Sequence, residues 1–363
     1  MSETPPDPGP RGTSEAPTER HLVSHVFNIV VFVVAGAALI ELVHAGGIEN
    51  ARRVWWQLGP WLGVIIGLDL AAMACDAGAI HSFMRPESRM VSYWRVLAAQ
   101  ASGRAINVLT PSGALGEATK VSMLVGHAPR TRIVAAIVEY NLATLYLSVA
   151  ILVIGVPITA ALIDLPHTIA MIAWVGLAVV IALVIGLVLV FRHGAGATLL
   201  AAARRVDLVS AARAQAWAAK VAEVDARLRD LHANRSPGTA RGVMLLVVSR
   251  VLSWTATTVV LVAVGVAIGP TVLVGLFSVG ILVGWVSSVV PLGVGVADAG
   301  NYVLFSVLGA SAAQGLMVTM AGRVRSLIVA LIGLCVMAAA HTHTRFVLHR
   351  RRLRRSDPAR YLG

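Results

Sequence analysis

Apolar positions along the chain gather into runs of about 20 residues, the length a helix needs to cross a hydrocarbon core of about 30 Å. Such runs occupy roughly 23–44, 58–80, 132–164, 167–191, 242–268 and 314–340. Two further stretches, about 90–126 and 271–310, are apolar overall but interrupted at their centres by proline, glycine and acidic residues. Backbone inside a bilayer has no water to bond, so an interruption at that depth persists only where protein or a water-filled cavity surrounds it. Both stretches therefore read as discontinuous or re-entrant helices. The pattern predicts an all-α polytopic integral membrane protein with about eight helical elements, two of them broken.

Between and beyond the runs the chain is polar. Residues 1–22 carry Pro5, Pro6, Pro8, Pro10 and Pro17 among polar neighbours, the composition of a disordered cytoplasmic tail. The first apolar run shows no cleavable signal before it and is expected to stay as an anchor, so the membrane domain is assigned to 23–342. Residues 192–241 hold nine Arg and Lys residues from Arg192 to Arg241, and the tail at 343–363 holds seven arginines from Arg345 to Arg360. The positive-inside rule places both segments in the cytoplasm. An even number of crossings must then separate them. The runs at 242–268 and 314–340 supply it if 271–310 enters and leaves on one side, and two crossings by its halves would satisfy parity equally. Within the basic segment Trp217, Val221, Val224, Leu228 and Leu231 form one apolar helical stripe, suited either to the membrane interface or to packing on another helix.

Composition supports the membrane reading. The 363 residues are 57% hydrophobic and 13% charged, where a soluble domain carries about 25% charge. The net charge of +12 does not point to nucleic acid, because Lys and Arg cluster beside apolar runs without interleaved aromatics. It suits anionic lipid headgroups instead. Cys75 and Cys335 stand alone, and His341 and His343 lie two apart at a basic end, so no disulfide or metal site is assigned. No nucleophile elbow, zinc-protease helix or Walker loop occurs, and no cofactor or catalytic residue is assigned.

The candidate chemistry lies in the two interruptions. In GRAINVLTPSGALGEATK, residues 103–120, Arg104, Asn107 and Pro111 share one helix face. Pro111 removes a backbone donor while Gly113 and Gly116 permit a turn, leaving free amides at the start of the next helix, where an anion is favoured. Glu117 falls in that first turn and Lys120 one turn later. Either Glu117 neutralises Arg104 or Lys120 in a structural knot, or Arg104 and Lys120 hold a lipid phosphate while Glu117 organises them or carries a proton. The second interruption, VVPLGVGVADAGNY at 289–302, echoes the first with Pro291, Gly293, Gly295 and Asp298. One interrupted helix in each half is the trace of transporters whose site lies between two repeats. Asp69, Asp76 and Glu139 are further acidic residues within apolar runs, each able to face a cavity or to pair with Arg250, Arg323 or Arg325.

GRAINVLTPSGALGEATKVSML resembles the R-x-x-N-x-x-x-P-x-x-x-G-E signature of the lysylphosphatidylglycerol synthase transmembrane region family, the flippase-like domain of the multiple peptide resistance factor. VVPLGVGVADAG is similar to that family's later P-G-G-x-G-x-x-E element, with Asp298 standing where Glu is usual. A Glu-Arg pair common in the family reads here as Glu139 followed by Tyr140. The resemblance spans roughly 23–342. It implies a central lipid-handling cavity at Arg104, Asn107, Pro111, Gly116, Glu117, Pro291, Gly293, Gly295 and Asp298, to which residue chemistry adds Gly113, Lys120 and Glu139. It also implies the cytoplasmic membrane of a bacterium, and a membrane region without the soluble synthase domain, since a short basic tail leads to Gly363. The expected activity is translocation of an anionic phospholipid or a polyprenyl-phosphate lipid. A lipid-modifying transferase and a membrane scaffold for a separate lipid-modifying enzyme are the alternatives.

Overall fold

The computed structural model describes residues 48–110, 114–163, 171, 174–179, 181–182, 237–288 and 295–355. The tail at 1–22, the run at 23–44, most of 192–241 and Pro111, Gly113, Pro291 and Gly293 lie outside them, as does most of the expected span 167–191, which is helical at the positions described. Eight α-helices follow in chain order: α1 Ile48–Phe83, α2 Tyr93–Leu109, α3 Ala114–Leu124, α4 Arg130–Leu162, α5 Pro237–Ala263, α6 Pro270–Ser287, α7 Val296–Val307 and α8 Ala312–Arg355. A 3-10 turn at Glu87–Met90 joins α1 to α2, and no β-strand occurs among the described residues. Among the described residues five helices are long and apolar enough to cross a membrane: α1 over Trp56–Phe83, α4, α5 from Gly238, α6, and α8 to Ala340. The protein is a multi-pass membrane protein. Beyond Ala340 α8 runs on into the arginine-rich stretch as far as Arg355.

Both interrupted stretches are helices in two arms of unequal length. At 1.5 Å per residue, the 17 residues of α2 reach about 26 Å and the 11 of α3 about 17 Å. The 18 residues of α6 reach about 27 Å and the 12 of α7 about 18 Å. Local chemistry sets the breaks. Thr110 ends α2 in an extended conformation, φ −121° and ψ 141°, the region favoured before proline, and its hydroxyl donates to Ile106 O at 2.7 Å. Gly295 opens α7 at φ +78°, a conformation that favours glycine, and donates its N–H to Asp298 Oδ2 at 2.9 Å.

The helices divide into two units, α1–α4 and α5–α8, each a long helix, a broken helix and a second long helix. Across the units α1 packs on α5, α2 on α8 and α6 on α4. The pairing is reciprocal, each broken helix packing on the last helix of the other unit. Along the seam Phe83 lies against Gly242, Leu245 against Gly78 and Ser249 against Asp76, while Asp69 and Thr257 share Arg325. Residue numbers fall on α1 as they rise on α5, so the counterpart helices are antiparallel and the units inverted.

Candidate functional site

Three polar stations sit among the apolar helices. The first is built on α1, α2 and α8. Asp69, with no exposed surface, accepts from Nε and Nη2 of Arg325, and Arg325 Nη1 donates to Thr257 Oγ1 at 3.0 Å. Beside this pair opens a cavity of about 200 Å³ lined by Asp69, Arg104, Val108, Gly322, Arg325, Ser326 and Val329. Arg104 and Val108 fall on one face of α2, and Gly322, Arg325, Ser326 and Val329 on one face of α8. Gly322 matters sterically: a Cβ there would meet nothing within 4 Å. Asp69 neutralises Arg325, whereas Arg104 has no hydrogen-bond or ion-pair partner among the described residues. The lining therefore carries one cation without a direct partner among the described residues, the buried Asp76 acting on it only at longer range.

The second station is the fold-back of α3 on α2. Lys120, 4% exposed, donates to Glu117 Oε1 at 2.8 Å and lies 5.4 Å from the centre of the Tyr140 ring on α4. Of the two pairings open to Glu117, the structure forms the one with Lys120. Asn107 Nδ2 reaches the same carboxylate oxygen at 3.5 Å, and Gln100 Nε2 reaches the Tyr140 hydroxyl at 3.4 Å. The arms meet backbone to backbone. A Cβ at Gly103 would lie 2.6 Å from Lys120 Cγ and 2.8 Å from Gly116 O, and one at Gly116 would overlap Asn107 and the Gly103 carbonyl. Gly103→Ala is accordingly expected to destabilise the fold by about 1–3 kcal/mol, the usual cost of overpacking, read as a lowered unfolding midpoint in detergent micelles.

The third station joins α7 to α8. Asp298 Oδ2 accepts from Arg323 Nη2 at 2.6 Å, and Asn301 donates to Thr319 Oγ1 at 2.8 Å. Arg323 is two residues from Arg325, so α8 carries a cation to each of two stations. Asp298 and Glu117 do not line the cavity, since each is drawn to a cation beside it. Among the sequence-selected residues the structure thus brings Arg104 to the cavity, unites Asn107, Gly116, Glu117 and Lys120 at the fold-back, and sets Gly295 and Asp298 at the α7 start. Glu139 stands apart, buried on α4 with Thr239 donating to its Oε1 at 3.4 Å. Asp76, on α1, faces Ser249 and Tyr140 with Arg104 and Arg250 in electrostatic reach.

The cavity residues that sequence reasoning passed over are Gly322, Ser326 and, as a site member, Arg325. Their signal was present as a small or polar stripe on one face of an otherwise apolar helix. The family model of the lysylphosphatidylglycerol synthase TM region matches residues 26–333, most of the chain. The chain belongs to this family. The lysylphosphatidylglycerol synthase TM region is a membrane domain related to lipid handling, and the match takes in all three stations. Neither the curated proteins nor the solved structures offer a match to the chain.

Proposed function

We propose that this membrane domain translocates an anionic lipid, guiding the phosphate of its headgroup past Arg104 while the acyl chains stay in the bilayer. The observation that carries the reading is the Arg104 guanidinium, opening on a cavity of about 200 Å³ with no hydrogen bond or ion pair among the described residues while Arg325 is held by Asp69. A charge left unpaired at membrane depth is costly, about 2.5–3.5 kcal/mol on insertion scales, so a partner that arrives and leaves is the economical use of it. Arg104 supplies a planar fork matched to phosphate oxygens, and Ser326 adds a hydroxyl donor. Inverted units on either side of the seam supply a frame able to open alternately to the two leaflets. Phosphatidylglycerol and a polyprenyl phosphate share this recognition chemistry.

The test is reconstitution into liposomes carrying fluorescent phosphatidylglycerol or a fluorescent polyprenyl phosphate, with the label on the inner leaflet followed by its delayed quenching. Lipid movement above that of empty vesicles is expected for at least one of the two, with Arg104→Gln slowing it tenfold or more. Rates equal to empty vesicles for both lipids, from protein shown to be folded, would reject the reading.

A further inference from the structure

The fold-back of α3 on α2 holds more hydrogen-bond acceptors than donors. Glu117 Oε1 takes Lys120 and Asn107, but Glu117 Oε2 is buried with no partner, as are Asn107 Oδ1 and Gln100 Oε1. Leaving such groups unmatched costs about 1–3 kcal/mol each. Turning the Asn107 amide over does not help, because its oxygen would then face Glu117 Oε1 in place of the donor. One added proton does help. On Glu117 Oε2 it removes one orphan acceptor and creates an O–H donor within the cluster that contains Asn107 Oδ1.

The same cluster is electrically tied to the cavity. Arg104 lines the cavity, stands one helical turn from Asn107 on the same face of α2, and acts on the Tyr140 hydroxyl that also feels Glu117. The charged and titratable groups around the cluster are Lys120 on α3, Arg104 on α2, Tyr140 on α4 and, behind Tyr140, Asp76 on α1, which in turn faces Arg250 on α5. Asp76 is buried, with hydroxyl neighbours at Ser249 and Tyr140 and with Arg104 and Arg250 in electrostatic reach, so it is the competing carboxylate that the experiment must separate from Glu117. Glu117 has one cation and one empty oxygen.

We propose that Glu117 is a proton-binding site linked to the anion site at Arg104, so that one proton is taken up as the anion binds and given back as it leaves. The step is a simple protonation: the proton comes from water, bonds to Glu117 Oε2, and no other bond changes. An anion on Arg104 adds negative charge close to the cluster, which disfavours a second carboxylate charge there and makes protonation easier. By linkage the protonated cluster holds the anion more tightly. This rests on the proposed anion site, and it adds the coupling ion.

The experiment is calorimetric titration of the full chain in detergent micelles with a short-chain, monomeric phosphatidylglycerol, run in buffers of different ionisation enthalpy and at several pH values. Uptake approaching one proton per probe bound is expected over a limited pH interval, with Kd rising by up to tenfold per pH unit across that interval and levelling off on either side. In Glu117→Gln the uptake and the pH dependence both disappear, while in Asp76→Asn both persist. Binding with no proton uptake by the unmodified chain overturns the inference and leaves the anion site standing, whereas no binding at any pH rejects the anion site itself. Uptake that survives Glu117→Gln but vanishes in Asp76→Asn overturns it by moving the proton to Asp76. Infrared difference spectra of the unmodified chain give a reading that needs no variant: a protonated carboxyl band must appear as the probe is added.

Discussion

Asp69→Ala is expected to destabilise the folded chain by about 3–5 kcal/mol, the largest effect of any single substitution considered for this protein. Asp69 has no exposed surface, and it receives two guanidinium nitrogens from Arg325, itself mostly buried. Deleting the carboxylate strands that guanidinium among apolar helices with Thr257 as its remaining partner. The ion pair in itself need not add much stability, because desolvating two charges offsets most of their attraction. Replacing both partners with apolar residues of similar volume, Asp69→Leu with Arg325→Met, is therefore expected to restore most of what the single change removes. Unfolding midpoints of the two single variants and the double variant in micelles decide it. Additive losses in the double variant would mean that the two side chains act independently.

Gly322→Leu is expected to abolish lipid movement, lowering the rate by tenfold or more, with little change in unfolding midpoint. The reason is the contrast between two glycines. At Gly103 an added Cβ runs into backbone and demands that two helix arms separate. At Gly322 it enters open space beside Arg104 and Arg325, so a leucine occupies the cavity without displacing its walls. Gly322→Ala serves as the graded control, with a partial loss. A leucine variant that moves lipid at the unmodified rate would show that the headgroup does not use this cavity, and would do so even if Arg104 proved important for another reason.

The inverted units give these local predictions a common frame. Asp69 and Asp76 are seven residues apart on α1, and Arg250 and Thr257 are seven apart on α5, so the antiparallel seam brings Asp69 near Thr257 and Asp76 near Arg250. The two crossings are related in position but not in charge. Arg325 from α8 supplies the cation at one of them, while Arg104 of α2 and Arg250 of α5 reach the other, so the two crossings are chemically distinct.

The hydrophobic pattern by itself determined the all-helical membrane class, most of the span positions and the two interruptions, because bilayer thickness and backbone satisfaction leave a long apolar chain few alternatives. It also marked where the breaks lie, since Pro111 disfavours helical backbone at Thr110 and Gly295 readily accepts the conformation that starts α7, although Pro60 and Pro157 are carried inside unbroken helices. Which charges pair was not legible. Asp69 and Arg325 are 256 positions apart, and the several arginines of α5 and α8 were all admissible partners until the α1–α5 seam and the approach of α8 removed the others. Sequence set Arg104, Glu117 and Asp298 side by side as one site, but only packing separated them into three stations, because Lys120 and Arg323 each lie close enough to claim a carboxylate first. The cavity belongs to tertiary structure entirely: an empty volume is defined by walls from three helices, and its most informative member, Gly322, has no side chain for a motif to register.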